Sequence, residues 1–394
     1  MSGRAKAVGA GRAASPEGDE RPTLITGGAG FVGCNLADRL LRDGRRVAVF
    51  DNLSRAGVEK NLAWLRATHG DRVSFVEGDV RDRAAVARAV RAPNGQPVAD
   101  VFHFAAQVAV TTSLADPLAD FEVNARGTLN VLEAVRAAGD AAGAEIPVVF
   151  TSTNKVYGEL ADVAESAGQG GARRYAPADP ALAALGIGEG RPLDFHSPYG
   201  CSKGTADQYV CDYARSFGIP AVVFRMSCIY GPRQFGTEDQ GWVAHFLIRA
   251  LRGEPITLYG DGLQVRDVLY VGDLVDAFLL ARAHVGRLSG RAFNIGGGPG
   301  NTTSLLELVD RLGALAGTRP EVRFEGWRTG DQKWYVSDVR AFAEATGWAP
   351  RTSLDDGLAR LRAWLGSAEA GVAGAPHAGA TAAEPEAELA GAEA

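Results

Sequence analysis

The chain has 394 residues, 46% hydrophobic and 22% charged, with a formal net charge of −6; it can bury a full core, and its interspersed charges leave no basic stripe for nucleic acid. No apolar run approaches the roughly 18 residues of a membrane span, and the start lacks the apolar stretch of a signal peptide. Cys34, Cys201, Cys211 and Cys228 are widely spaced with no Cys-x-x-Cys pair, which speaks against a disulfide framework or a metal site and fits a reducing cytoplasm.

Residues 1–20 hold almost no large apolar side chains and read as a disordered tail, as do residues 366–394, rich in Ala, Gly, Glu and Pro. Between them TLITG, RVAVFD and VSFVEGDV are short β-branched runs separated by helical periods, VGCNLADRLLRDG and a helix near Lys60 to Thr68. That is βαβαβ. Further strands follow at ADVFHFAA, PVVFTST and PAVVFRMS, separated by the helical stretches FEVNARGTLNVLEAVRAA and SPYGCSKGTADQYVCDYARSF. Near-continuous apolar strands joined by helices predict an α/β fold with a doubly wound parallel Rossmann sheet over residues 21–228. A polar stretch at 159–192 is too long for an ordinary connection and is expected to fold over the site. Beyond Ser227, loops, short strands such as PITLYG and FNIGG, and helices near Val243 to Leu251 and Ser304 to Ala314 predict a smaller mixed lobe over 229–365. Some chain crossing between the two lobes is expected.

The segment Thr26-Gly27-Gly28-Ala29-Gly30-Phe31-Val32-Gly33 ends the first strand and opens a helix, and Asp51 ends the second strand eighteen residues after Gly33. This is the context a dinucleotide needs: glycines permit a tight turn and close backbone approach, and the pyrophosphate sits at a helix N-terminus. Asp51 can accept hydrogen bonds from both ribose hydroxyls, whereas a 2′-phosphate would meet its carboxylate head-on. NAD is therefore favoured over NADP, with Arg55 nearby as the opposing signal. Asn52 and Ser54 flank the ribose end, and Asp79-Val80 after the third strand would reach the adenine. Phe104, Ala105, Ala106 and Gln107, after the fourth strand, together with Asn124 complete the expected cofactor surface.

Tyr199 and Lys203 lie four apart at the start of a predicted helix, so one turn puts their side chains on the same face. Thr153 ends the preceding strand. A phenol with a pKa of about 10 needs roughly three units of help, or about 4 kcal/mol, to be a phenolate at pH 7. A Lys203 ammonium and a positive nicotinamide can supply it. Tyr199 would then take a proton from a hydroxyl while hydride leaves its carbon, with Thr153 bonding the same oxygen and Lys203 binding the nicotinamide ribose.

The glycine turn, FHFAAQVAVTTS, Asn124 in FEVNARGT and the Thr153, Tyr199 and Lys203 set resemble extended short-chain dehydrogenases/reductases acting on nucleotide sugars, over about Pro22 to Trp364. More narrowly, FTSTNKVYG, LDFHSPYGCSKGTADQYVCDYAR and IYGPRQFGTEDQGWVAHF resemble the CDP-tyvelose (CDP-paratose) 2-epimerase branch of that family. The resemblance implies retained NAD, a CDP-hexose inverted at C2, and a homo-oligomer. It also implies that Arg266 in VRDVLY and Arg328 in WRTGDQ hold the diphosphate, as planar guanidinium groups do well. Tyr259 is expected to stack on the base, and Gln240 and Trp242 to flank the nucleotide sugar. Arg233, Asp331, Asn154, Cys228, His196, Gln107 and Thr111 are the remaining expected substrate contacts.

Nucleotide-sugar 4,6-dehydratases of this family typically carry Asp-Glu directly after the catalytic Thr, and a decarboxylase usually a Glu; Asn154-Lys155 stands here instead. A C4 epimerase of a UDP- or other NDP-hexose is a closer alternative, because the same site can oxidise whichever carbon is presented. Its usual sugar-holding Asn is replaced by Cys228. A non-enzymatic NAD-sensing scaffold is the alternative of another class, opposed by the retained Thr153, Tyr199 and Lys203.

Overall fold

The computed structural model describes residues 20–92, 94–167 and 173–367. The two expected disordered tails thus lie outside the described residues, apart from Glu20, Gly366 and Ser367. The first half runs β1 (Thr23–Thr26), α1 (Phe31–Arg42), β2 (Val47–Asp51), α2 (Val58–His69), β3 (Val73–Glu77), α3 (Arg83–Ala89) and β4 (Asp100–His103). Then come α4 (Val110–Ala115), α5 (Pro117–Phe121), a π-turn at Glu122–Arg126, α6 (Gly127–Ala142) and β5 (Val148–Thr153). The middle holds β6 (Ala164–Ala167), β7 (Tyr175–Pro177), α7 (Pro180–Leu185), α8 (Ser197–Phe217) and β8 (Ala221–Met226). Next are β9 (Cys228–Tyr230), α9 (Trp242–Arg252), β10 (Ile256–Tyr259), β11 (Val265–Tyr270), α10 (Val271–Ala283), α11 (Val285–Leu288) and β12 (Arg291–Ile295). The chain closes with β13 (Thr302–Ser304), α12 (Leu305–Ala316), β14 (Val322–Glu325), β15 (Trp334–Tyr335), α13 (Arg340–Thr346) and α14 (Leu354–Leu365).

Seven parallel strands form the main sheet in the order β12-β8-β5-β4-β1-β2-β3. Every residue of β1, β4 and β5 is buried, as a sheet covered on both faces requires. One face packs Leu36, Leu40, Leu62, Phe278 and Phe342, from α1, α2, α10 and α13. The other packs Val86, Val131, Val135 and Val210, from α3, α6 and α8. The order of the strands reverses between β1 and β4, and a crevice opens at the carboxyl ends of strands at such a switch.

The smaller sheets pair β10 with β14 and gather β13, β15 and β9 around β11, with α9, α12 and α14 packed on them through Leu247, Leu312 and Leu361. Two expectations are corrected. FNIGG does not belong to the smaller lobe: β12 pairs with β8 in the main sheet, and its Phe293, Asn294 and Ile295 are fully buried. Its short apolar run satisfies a sheet edge far from its neighbours in sequence. The 159–192 stretch does not cover the site among its described residues. Leu160, Val163, Tyr175 and Ile187 pack instead against Val265, Trp334 and Tyr335, because these apolar side chains give it a small core of its own. Among the described residues no helix is long and apolar enough to cross a membrane.

Candidate active site

A cavity of about 1160 Å³ lies at the switch between β1 and β4 and runs to the smaller sheets. At one end the β1–α1 turn is built of glycines that nothing larger can replace. Gly27 has φ +68°, and a Cβ there would meet the Ala105 nitrogen at 2.8 Å; a Cβ on Gly33 would lie 2.3 Å from the Gly27 carbonyl. No side chain caps α1, whose first residue is Phe31, so its opening amides and the helix dipole face the cavity. Asp51 sits beside them, accepting the Ala29 amide at 3.0 Å and the Leu53 amide at 2.9 Å. Burial pushes its carboxyl up from the ordinary value. A glycine cradle, an uncapped helix and a carboxylate with spare lone pairs fit a pyrophosphate and a ribose.

Of the other expected cofactor residues, Gly30, Phe31, Val32, Asn52, Ser54, Arg55, Asp79, Val80, Phe104, Ala105, Ala106 and Gln107 all line this cavity. Asp79 is held by Arg81 and, at 2.9 Å, by Asn52, which lowers its carboxyl to about 2. Asn124 does not line it. Its side chain is buried in the π-turn, where Oδ1 accepts the Gln107 amide at 2.9 Å, so it shapes the cofactor wall from behind.

Thr153 ends β5 and turns the chain, accepting the Lys155 amide at 3.2 Å and donating to Asn154 at 3.3 Å. Facing it, Ser197 and Pro198 open α8, and one turn brings Tyr199 and Lys203 to the cavity. Both are nearly inaccessible, 8% and 3% exposed. Burial pushes the Tyr199 phenol up to about 12, and a hydrogen bond with Thr153 opposes that rise. Burial likewise pulls Lys203 down to about 7; its ammonium donates to the Thr151 carbonyl at 2.6 Å and lies over the Phe150 ring. The phenolate is therefore harder to form here than in an exposed tyrosine, whose phenol titrates at about 10. Desolvation, invisible in a Tyr-x-x-x-Lys spacing, makes the difference.

At the far end Arg266 is 8% exposed and bonds Asp331 at 2.6 Å, and Arg328 lies 3.8 Å over the Tyr259 ring with Asp239 at 3.3 Å. Trp242 donates to the Cys228 sulfur at 3.3 Å. Thr111 and Gln240 line the cavity with buried side-chain oxygens that have no hydrogen-bond partner among the described residues, as substrate-facing groups often do. Asn154 also lines it.

One expected contact, His196, lies outside this cavity, and another, Arg233, lines a different part of it. His196 precedes α8 and lines a separate cavity, paired with Asp194 at 3.1 Å and Glu159 at 3.6 Å; these acids draw its ring away from the site. Arg233 lines the main cavity, but at its cofactor side, with its guanidinium 3.5 Å over Trp64 of α2. The sequence reading passed over Lys155 and Trp327, which line the cavity. Lys155 donates to the Gly330 carbonyl at 2.9 Å, stands 3.9 Å from Asp331, and is pulled down to about 8 by burial. Its place two residues after Thr153 was the available signal.

The model of the NAD dependent epimerase/dehydratase family matches residues 23–296. The CDP-paratose 2-epimerase of Salmonella typhi is 43% identical over 353 residues, covering 87% of this chain and 99% of that protein. Thermus thermophilus UDP-glucose 4-epimerase, solved in complex with NAD, is 34% identical with a TM-score of 0.71, covering 88% of this chain and 99% of the other. A dTDP-glucose 4,6-dehydratase of Streptomyces venezuelae, solved with NAD, is 30% identical with a TM-score of 0.72, covering 87% and 96%. With the glycine cradle, the Tyr199 and Lys203 pair and these likenesses together, the chain belongs to the NAD dependent epimerase/dehydratase family, on its CDP-paratose 2-epimerase branch, as an NAD-dependent nucleotide-sugar epimerase.

Proposed function

We propose that the chain inverts C2 of a CDP-linked hexose through a transient 2-keto sugar. The observation that carries this reading is what stands beside Thr153: Asn154 and Lys155 occupy the cavity there. The acid next to Lys155, Asp331, is committed to Arg266 and Lys155. Elimination of water needs a free acid and base at that place; oxidation and reduction of one carbinol do not. The relative at 43% identity, named for C2 epimerisation of CDP-paratose, supports the same choice.

Bound NAD supplies the chemistry of hydride acceptance and return. Tyr199 takes the proton from the sugar hydroxyl and later gives it back, and Thr153 bonds the same oxygen. Lys203, when protonated, places a positive charge in the same buried site and so favours a phenolate. Arg266 and Arg328 keep the diphosphate while the keto sugar turns about it, so that its other face meets the same redox site. A substrate deuterated at C2, turned over in ordinary water, tests this: the epimer should keep its label at C2. Washout would replace the route with enolisation or elimination, and a product inverted at C4 with its C2 label and C2 configuration untouched would make the chain a C4 epimerase.

We further infer a homo-oligomer. Leu118 and Phe121 on α5 and Tyr209 and Phe217 on α8 are exposed on helices that pack together, and grouped large apolar side chains mark association surfaces. Sedimentation as a monomer at micromolar concentration would overturn it. Four free thiols support a reducing, cytoplasmic location, which cell fractionation checks.

A further inference from the structure

Asp120, on α5, is 1% exposed. Its carboxylate accepts a hydrogen bond from Asn124 Nδ2 at 3.1 Å and another from the Ser202 hydroxyl. The same Asn124 nitrogen lies 3.1 Å from Ser202 Oγ. Three side chains from α5, the π-turn and α8 thus close a buried polar triangle, one residue from Lys203. A carboxylate at this depth is costly unless hydrogen bonds and a counter-charge compensate. The hydrogen bonds are the two just named. The counter-charge is Lys203, which acts on Asp120 through space and is acted on in return.

The charged groups facing each partner narrow the assignment. Lys203 is faced by Asp120 and Asp207, and the buried His103 feels its charge from the sheet side. Asp207 is already engaged by Arg225 through two hydrogen bonds of 2.9 Å. Tyr199 is faced by Thr153 and Asp120. Asp120 is therefore the carboxylate whose charge reaches both Tyr199 and Lys203 and which has no arginine of its own among the ion pairs of the described residues.

Resting on the reading of Tyr199 and Lys203 as the proton-transfer pair, we propose that Asp120 is its positioning residue: the carboxylate locks the start of α8 to the π-turn through Ser202 and Asn124 and supplies the counter-charge that keeps Lys203 an ammonium. The consequence has a definite sign. A negative charge favours the protonated form of both neighbours, so Asp120 raises Lys203 and Tyr199 alike. Removing that charge lets Lys203 lose its proton at lower pH and lets Tyr199 ionise more easily. Both limbs of the kcat profile then move toward acid.

The experiment follows kcat from about pH 6 to 10 for the wild type, Asp120→Asn, Asp120→Glu and Tyr199→Phe, with melting temperature and bound NAD measured on each. Asp120→Asn should shift the profile down by about one unit, and Asp120→Glu should move it back toward wild type at a lower kcat. A lowered melting temperature with an unmoved profile would make Asp120 a packing residue and overturn the proposal. If Asp120→Asn does not fold, Ser202→Ala serves. It strips a hydrogen bond from the carboxylate, which then protonates more readily, so the profile should shift the same way by less; no shift overturns the proposal equally. Active Tyr199→Phe would sink the underlying reading of the pair. Inactive Tyr199→Phe beside an unmoved Asp120→Asn profile sinks the Asp120 proposal alone.

Discussion

The two ends of the cavity are built of different materials. At the cofactor end the wall is main chain: Gly27 and Gly33 leave no room for a Cβ near the turn, and α1 opens without a side-chain cap beside Asp51. At the sugar end the wall is side chains from distant segments, Lys155 and Arg266 paired with Asp331, and Arg328 paired with Asp239. A wall of backbone is broken outright by one added carbon, because the chain cannot move aside without unmaking the strand-to-helix turn. A wall of paired side chains weakens by increments and can be retuned. Tyr199 and Lys203 stand where the two walls meet, so the comparison sharpens there first.

The largest expected effect is at that junction. Tyr199→Phe should lower kcat by about 10²–10⁴-fold while the purified protein keeps its NAD, since neither the glycine cradle nor Asp51 is touched. Near-normal turnover would move the base elsewhere. Next comes the backbone wall. Gly33→Ala puts a carbon 2.3 Å from the Gly27 carbonyl and should cost about 1–3 kcal/mol of stability. Cofactor should be lost with it, read as a lower melting temperature and protein purified without NAD. A stable, NAD-loaded Gly33→Ala protein would break the contrast between the two ends.

The side-chain wall should respond more gently. Arg266→Lys keeps a positive charge but not a planar fork, and should raise KM by about tenfold with kcat near wild type. An equal fall in kcat would mean that Arg266 acts on the reacting carbon. The smallest effect is expected at Lys155, held at about 8 by burial. Its ammonium attracts the anionic substrate below that pH and is lost as pH rises through it, so wild-type KM should climb on the alkaline side. Lys155→Met should raise KM about threefold at pH 7 and flatten that climb. If the climb persists in the variant, another group causes it.

Much of the cofactor end was legible in sequence, because its signal is local. Eight consecutive residues from Thr26 to Gly33 and one carboxylate at Asp51 name a turn, a helix start and a strand end in register. The Tyr199 and Lys203 pair was legible for the same reason, one helical turn being a fixed length. Their energetics were not: the phenol at about 12 and the ammonium at about 7 follow from burial, which spacing does not contain. The substrate end was legible only as separate residues. Nothing within HSPYG says that His196 turns toward Asp194, nor does PRQF say that Arg233 lies on Trp64.

By itself the sequence determined the alternation that makes a parallel sheet, the glycine turn from Thr26 to Gly33 and the placing of Tyr199 and Lys203 one helical turn apart, all of them matters of period and short spacing along one chain. Tertiary structure alone decided the rest. It carried β12 back across the molecule to complete the main sheet, set Leu160, Val163, Tyr175 and Ile187 against the smaller sheet, and closed Asp120, Asn124 and Ser202 into one buried triangle. These depend on which surfaces the chain must hide together and which charges it must pair once water is gone. Such pairings join residues far apart in the chain, as Asn154 and Gln332, separated by 178 positions, and no local pattern encodes them.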